Sequence, residues 1–322
     1  MSAPKKEPEA LPRAVIFGAT GAQGGSVVDA LIRDGTYDVV AVTRDPESEK
    51  AKKLAEDGCE VVKADMDDKA SCELAVKGAD VVFLVTNYWE IFDEKKEEQQ
   101  AKNVIDACKT GNVGFLVFST LEDVGALNAE GMSCGKIDVL PSGSLVPHFD
   151  AKGRAMAYCK EQDIKACYLK LSFYMENWTK WFIPVAKKDK FFISYPLAGK
   201  PMGVISVEDV GGIVSNLFKN ADKYAGKEIG AAAELVTGDA IAAAFSEVFG
   251  KTVVFEDAKV AQYKSQDFPG AGEFGNMFQA YQDTEKILRS PEETKAIYGQ
   301  TVDMKTWLLK NKDNAGFAEL NK

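Results

Sequence analysis

His148 and Lys152 stand four residues apart in the stretch His148-Phe-Asp-Ala-Lys152, so a helix would place both on one face. An imidazole can donate or accept a proton near neutral pH, and an ammonium beside it can hold a hydroxyl or an anion. Upstream, Ser119-Thr120 closes an apolar run and offers hydroxyls that could bond a carbonyl, cap a turn or line a crevice. The set supports two readings. His148 is a proton donor working with Lys152, or Lys152 only holds a ligand and His148 is a satisfied polar neighbour.

Nearer the start, Gly18-Ala-Thr-Gly21-Ala-Gln-Gly24-Gly25 follows an apolar run and precedes a helical stretch. In a G-x-x-G-x-x-G loop the first glycine allows a tight turn, and the second removes a side chain that would block a diphosphate. The third lets the helix pack on the strand, and the helix N-terminus turns its free N–H groups toward the phosphates. The context of strand, loop and helix within about 30 residues makes this a dinucleotide site rather than a plain glycine turn. The end of the next apolar run then selects the nucleotide. An acid there would bond the ribose 2′-OH of NAD, whereas Thr43-Arg44 offers a guanidinium that can clamp a 2′-phosphate. The expected cofactor is NADP(H), with Asp45 and Glu47 tempering the preference.

These residues need a scaffold that presents strand ends to a common crevice. Apolar runs at 14–17, 38–43, 60–64, 79–85 and 114–118 alternate with helical stretches ending near 34 and at 47–57, 68–77 and 93–109. Runs that are apolar throughout are covered on both faces, which predicts a parallel sheet between two helical layers. Residues 121–147 are rich in Gly, Ser and Asn and read as a loop, followed by a helix at 148–162 and a strand at 165–173. Later segments read as a strand at 191–197 and helices at 207–219, 240–249, 276–288 and 304–310. The predicted fold class is α/β: a Rossmann doubly wound parallel sheet with a smaller α/β C-terminal lobe. Its divisions are a disordered tail at 1–11, a nucleotide-binding domain at 12–173 whose sheet later segments complete, and the smaller lobe at 174–322, packed on the carboxyl edge of the sheet.

Composition bounds the partners. The net charge of −10 works against nucleic-acid or anionic-membrane binding, and no apolar run approaches the ~18 residues of a membrane span. The six cysteines are widely spaced and read as reduced, mostly buried thiols, and a single histidine excludes poly-histidine zinc sites, so no metal is expected. The start carries no secretory signal, which leads to the expectation of a cytoplasmic protein, with the nucleus also open to it.

These features resemble the NmrA-like branch of the atypical short-chain dehydrogenases, with the greatest likeness to its animal NADPH-sensing members. The resemblance spans nearly the whole chain and rests on GATGAQGGSV at 18–27, VTRDP at 42–46, VTNYWE at 85–90, HFDAKG at 148–153, YMEN at 174–177 and FPGAGEFGNMF at 268–278. It implies NADP(H) contacts from Gly18, Ala19, Thr20, Gly21, Ala22 and Gln23, with Arg44 near the 2′-phosphate and Asp65 and Met66 near the adenine. It also implies contacts from Thr86, Asn87, Tyr88 and Lys152, and from the turn Tyr174, Met175, Glu176 and Asn177. Short-chain reductases carry Tyr-x-x-x-Lys on the matching helix, and here His148 stands in the place of the tyrosine. Gln99 replaces a lysine that the sensors place near the cofactor.

The resemblance therefore implies an NADP(H)-binding redox sensor that acts on regulatory protein partners, without efficient catalysis, and a homodimer is compatible with it. The alternative is an NADPH-dependent reductase of quinones or small carbonyl compounds, with the substrate in the cleft between the lobes. Its catalytic candidates are Lys152, His148 and Ser119. Tyr88, Trp89, Phe173, Tyr174 and Trp178 would line an apolar pocket there or belong to the core.

Overall fold

The computed structural model describes residues 10–322. Of the expected tail, residues 1–9 lie outside the described residues, and Ala10 and Leu11 are exposed and in no regular element. The chain then alternates β1 (Arg13–Ile16), α1 (Ala22–Asp34), β2 (Asp38–Thr43), α2 (Glu49–Glu56), β3 (Glu60–Lys63), α3 (Lys69–Ala75) and β4 (Val81–Val85). It continues through α4 (Tyr88–Ile91), α5 (Glu94–Thr110), β5 (Phe115–Thr120), α6 (Val124–Glu130), α7 (Pro147–Glu161) and β6 (Ala166–Leu171). Successive strand residues face opposite layers, as the pleat requires. Ala14 and Ile16 pack with Val27 and Leu31 of α1, while Val15 and Phe17 pack with Val104 of α5 on the other side.

After β6 come β7 (Phe173–Tyr174), β8 (Val185–Lys187), β9 (Lys190–Tyr195), β10 (Met202–Ile205), α8 (Val207–Lys219), α9 (Ala221–Tyr224) and β11 (Glu228–Ala231). Then follow β12 (Glu234–Val236), α10 (Gly238–Phe249), β13 (Val253–Asp257), α11 (Val260–Lys264), α12 (Ala271–Tyr281), α13 (Pro291–Ile297), α14 (Met304–Lys310) and a 3-10 turn at Ala315–Phe317. The main sheet has seven strands in the order β11-β6-β5-β4-β1-β2-β3, all parallel. Its order reverses between β1 and β4, and such a switch point opens a crevice at the carboxyl ends of the strands. The smaller lobe carries two three-stranded sheets, β12-β10-β7 and β13-β9-β8, over a third core that includes Trp178, Tyr195, Phe245, Phe278 and Trp307.

Two later elements return to the main sheet. Strand β11 extends its edge beside β6, and α8 lies so close to α1 that a Cβ on Gly211 would overlap the Ser26 carbonyl oxygen. At the edge of the crevice, Arg289 reaches down from the segment after α12 to a bidentate pair with buried Glu122, at 2.7 and 3.1 Å. Burial works to raise the Glu122 pKa, and the guanidinium beside it prevails and holds the carboxyl below its usual value.

Two expectations need correction. Residues 121–147 are not wholly loop, because Asp123 caps the short helix α6 by accepting from the N–H of Ala126 at 3.0 Å. Buried Asp150 then pins both ends of this stretch, accepting from the N–H groups of Val124, Gly125, Leu145 and Val146. The helix expected at 276–288 runs instead over Ala271–Tyr281. Its early glycines masked the start, and the turn at Asp283, whose carboxylate takes the N–H groups of Ser133 and Lys286, ends it sooner.

Candidate functional site

A cleft of about 1990 Å³ runs along the carboxyl edge of the main sheet and in under the smaller lobe. Its floor begins at the glycine loop. Gly18 has φ of +71°, open to glycine at little cost, and its carbonyl accepts from the Gly21 N–H at 2.9 Å. A Cβ on Gly24 would overlap the Gly18 carbonyl oxygen, so this glycine is what lets α1 start against β1. Gly21 caps α1 in an extended conformation, and no side chain covers the first N–H groups of the helix. Gln23 donates to the Tyr174 hydroxyl at 2.6 Å, leaving its own Oε1 buried and without a partner. A diphosphate held by backbone N–H groups fits this cradle, and the unused Gln23 oxygen can accept a further donor.

At the nucleotide end, Arg44 projects from the end of β2 with its side chain more than half exposed and pairs with Glu90 of α4. Lys50 lies close by, donating to the Thr20 carbonyl oxygen at 3.1 Å and lining the same cleft. The sequence does not single out this lysine, which adds a positive charge to the same cleft wall. Asp65 and Met66 line the cleft as implied, and Asn103 fixes the turn by donating to the Met66 carbonyl oxygen at 2.8 Å. Gln99 lies apart, exposed and bonded to Asn103, whereas Gln100 reaches the cleft.

At the centre, α7 carries His148 and Lys152 on its cleft-facing side, both buried or nearly so. A Cβ on Gly153 would overlap the Asp123 backbone, which explains the glycine after Lys152 and lets α7 sit deep enough. The Lys152 ammonium is held by buried Glu97 of α5 and donates to Thr86 Oγ1 at 3.0 Å and the Thr86 carbonyl oxygen at 3.3 Å. Thr86 Oγ1 in turn donates to Glu97 at 2.8 Å, while Glu97 Oε2 is buried with no partner. His148 meets Glu273 of α12 through Nδ1 at 2.5 Å, and its ring packs on Trp89 at a centroid distance of 4.7 Å. Burial, reinforced by Glu273, pushes the Tyr88 phenol pKa up, so this hydroxyl keeps its proton. Neither glutamate stands out by type or spacing: Glu97 sits in a charged helical run, and Glu273, although within FPGAGEFGNMF, has no role assigned to it there.

Of the residues named from sequence, Gly18, Thr20, Gly21, Ala22, Gln23, Arg44, Asp65, Met66, Thr86, Asn87, Tyr88, Ser119, His148, Lys152, Tyr174 and Asn177 all line this cleft. Three do not. The Ala19 side chain faces the core beneath the loop, and Met175 is fully buried in the core of the smaller lobe. The Glu176 carboxylate turns away to accept from Ser206, the Val207 N–H and the Trp307 indole. Among the aromatics, Tyr88, Trp89, Phe173 and Tyr174 line the cleft, while Trp178 is core and donates to the Tyr195 hydroxyl at 3.0 Å. All six cysteines are free, and burial raises the Cys72 thiol to about 12 and the Cys159 thiol to about 11, which makes both poor nucleophiles. Among the described residues no group of side chains could hold a metal ion, and no helix is long and apolar enough to cross a membrane.

The sequence profile of the NmrA-like family matches residues 12–308, which takes in both lobes and every wall of the cleft. The chain belongs to the NmrA-like family. An NmrA-like family domain-containing protein of Dictyostelium discoideum is 29% identical over 266 residues, covering 79% of this chain and 83% of its own length. The structure of NmrA, a negative transcriptional regulator, in complex with NADP superposes with a TM-score of 0.74 at 16% identity, over 93% of this chain and 95% of that one. That of the NADPH-dependent quinone oxidoreductase of Escherichia coli, complexed with NADPH, gives 0.73 at 20% identity, over 93% of this chain and 100% of that one. Both likenesses show that the fold is shared over nearly the whole chain.

Proposed function

We propose that this NmrA-like protein binds NADP(H) and uses it to reduce a flat, apolar quinone or carbonyl compound. The observation that carries this reading is the continuity of the cleft. It passes from the glycine loop beneath Lys152 and His148 into an aromatic chamber, and 1990 Å³ is well above the roughly 300–1,000 Å³ of a small-molecule site. In this reading the loop at 18–24 and the start of α1 hold the diphosphate, and Arg44 and Lys50 hold the 2′-phosphate. Lys152 binds the nicotinamide ribose hydroxyls. The bound cofactor supplies a hydride. His148, oriented by Glu273, supplies the proton that completes reduction of a carbonyl oxygen. Ser119, which lines the cleft near the end of β5, bonds that oxygen in this reading.

Steady NADPH oxidation with a panel of quinones and aromatic ketones tests the proposal. Turnover that falls in His148→Ala and Lys152→Ala supports it, and no oxidation with any compound would end it.

A second reading, a redox sensor acting on regulatory proteins, has one observation in its favour. Arg44 is paired with Glu90 of α4, and Trp89 beside it stacks on Phe274 of the smaller lobe at 5.2 Å. Seating a 2′-phosphate on Arg44 would exchange Glu90 for phosphate, giving occupancy a physical route to the contact between lobes. A nucleotide shifts such an equilibrium only through its differential affinity for the two states. NADPH-dependent changes in amide exchange at α4 and α12, absent in Glu90→Gln, would support this reading.

A further inference from the structure

The far end of the cleft has its own chemistry. Beyond His148 its walls are Phe149, Phe182, Tyr195, Phe274, Met277 and Tyr281. The rings touch in sequence: His148 meets Phe149 at 4.8 Å, Phe149 meets Tyr281 at 6.1 Å, and Phe182 meets both Phe274 and Tyr195 at 5.6 Å. Such walls favour a flat ring, offering faces and edges for stacked or T-shaped contact.

The full charges on this chamber are Lys187, Glu256, Asp257 and Glu273. Lys187 is engaged by Glu256 at 3.5 Å, and Lys152 at the neck is engaged by Glu97. Asp257 accepts from three backbone N–H groups, those of Leu197, Ala198 and Gly199, at 2.9, 3.0 and 2.7 Å. Glu273 remains, and it meets only the ring and N–H of His148 and the phenol of Tyr88. It is about nine-tenths buried, where water screens a charge poorly. Ring faces carry negative potential as well, so a cation gains on them and an anion loses.

We infer that the chamber admits flat aromatic ligands that carry no negative charge, neutral or cationic, and that Glu273 sets this limit. The inference rests on the reduction proposed above for the identity of the ligand as a substrate, but its test is one of binding. An entering carboxylate or sulfonate would find no free cation, because Glu273 also engages the His148 imidazole that the proposed reduction needs in its protonated form. A neutral ketone or quinone meets only apolar walls, and a cation gains from both the rings and Glu273.

Three two-ring probes of similar size separate these cases: 2-acetylnaphthalene, N-methylquinolinium and 2-naphthoate. Their affinities for the full-length protein saturated with NADP are measured by calorimetry, and NADPH oxidation is followed in parallel. We expect 2-naphthoate to bind at least about tenfold more weakly than the other two, and Glu273→Gln to narrow that gap at least about fivefold. Binding of 2-naphthoate within twofold of the neutral ketone overturns the inference, as does a gap unchanged in Glu273→Gln or a failure of all three probes to bind. If the predicted order of binding holds but no probe or quinone is reduced, the charge limit stands and the reductase reading falls. Reduction without discrimination removes the charge limit and leaves the reductase reading in place.

Discussion

The two ends of the cleft are built differently. The nucleotide end is centred on one contiguous β–α–β unit and relies largely on backbone, the loop at 18–24 and the free N–H groups of α1, with Arg44, Lys50 and residues 65–66 lining it beside them. The chamber end is assembled from side chains on α4, α7, β9 and α12, which are far apart in the chain and meet only through the tertiary fold. A backbone cradle tolerates sequence change so long as its glycines remain. A side-chain chamber can change ligand with a few substitutions. The difference explains how one family can keep a nucleotide and vary what the nucleotide is used for.

That division gives a hard test. Replacing Gly21 with Val sets a Cβ 3.2 Å from the Gly18 carbonyl oxygen, a tight contact that the loop must ease slightly and that touches nothing in the chamber. The branched side chain fills the diphosphate cradle. We expect NADPH affinity to fall by at least about 100-fold, roughly 3 kcal/mol, while 2-acetylnaphthalene binding to the free protein stays within about twofold. Calorimetry on both ligands would show whether the ends separate in this way, and loss of both would mean they form one unit.

At the junction, His148→Ala is expected to lower turnover by about 100-fold with NADPH affinity little changed, because the imidazole acts on the substrate side. Lys152→Ala should lower both, the affinity by about tenfold, through loss of the ribose contact. Equal losses of affinity in the two variants, measured by fluorescence titration, would place His148 in the nucleotide site instead. At the specificity position, Arg44→Ala should reduce the NADPH-to-NADH affinity ratio by about tenfold and leave the chamber untouched. An unchanged ratio would transfer the selection to Lys50.

The nucleotide end was legible in sequence for the same reason that it is robust. Spacing within one loop, the strand before it and the helix after it are local signals, and so are the β1 to β6 strands whose unbroken apolar runs mark a parallel sheet. His148 and Lys152 were legible as one helix face. Their partners were not, because Glu97 and Glu273 are ordinary charged helix residues until tertiary packing buries them. Met175 and Glu176 show the opposite error: they sit inside a recognisable YMEN turn, yet the 3-10 geometry of 175–179 aims one into the core and the other at the cap of α8. The strands β8, β10, β12 and β13 are short, and pairing rather than local pattern defines them.

The smallest expected effect lies away from both ends. Asp209 on α8 is buried and accepts from the Val302 N–H at 3.1 Å, and burial raises its pKa from the ordinary 3.8 to about 6. A carboxyl raised on folding contributes stability that is full below the ordinary value and lost as pH climbs through 6. Asp209→Asn should therefore remove part of the fall in melting temperature between pH 4 and 7, worth on the order of 1–2 kcal/mol at pH 7, with both ligand affinities unchanged. Thermal melts across that range would show it, and a variant that melts lower than wild type at pH 7 would count against it.

If the two ends act on one another within a single cleft, a single turnover shows it most directly, with NADPH pre-bound at one equivalent and a neutral quinone or aromatic ketone added. The compound is expected to bind without displacing the nucleotide, and one equivalent of NADPH to be oxidised, slowly or not at all in His148→Ala. Displacement of NADPH by the compound, or a stable ternary complex in which NADPH stays reduced with every compound that binds, would contradict this.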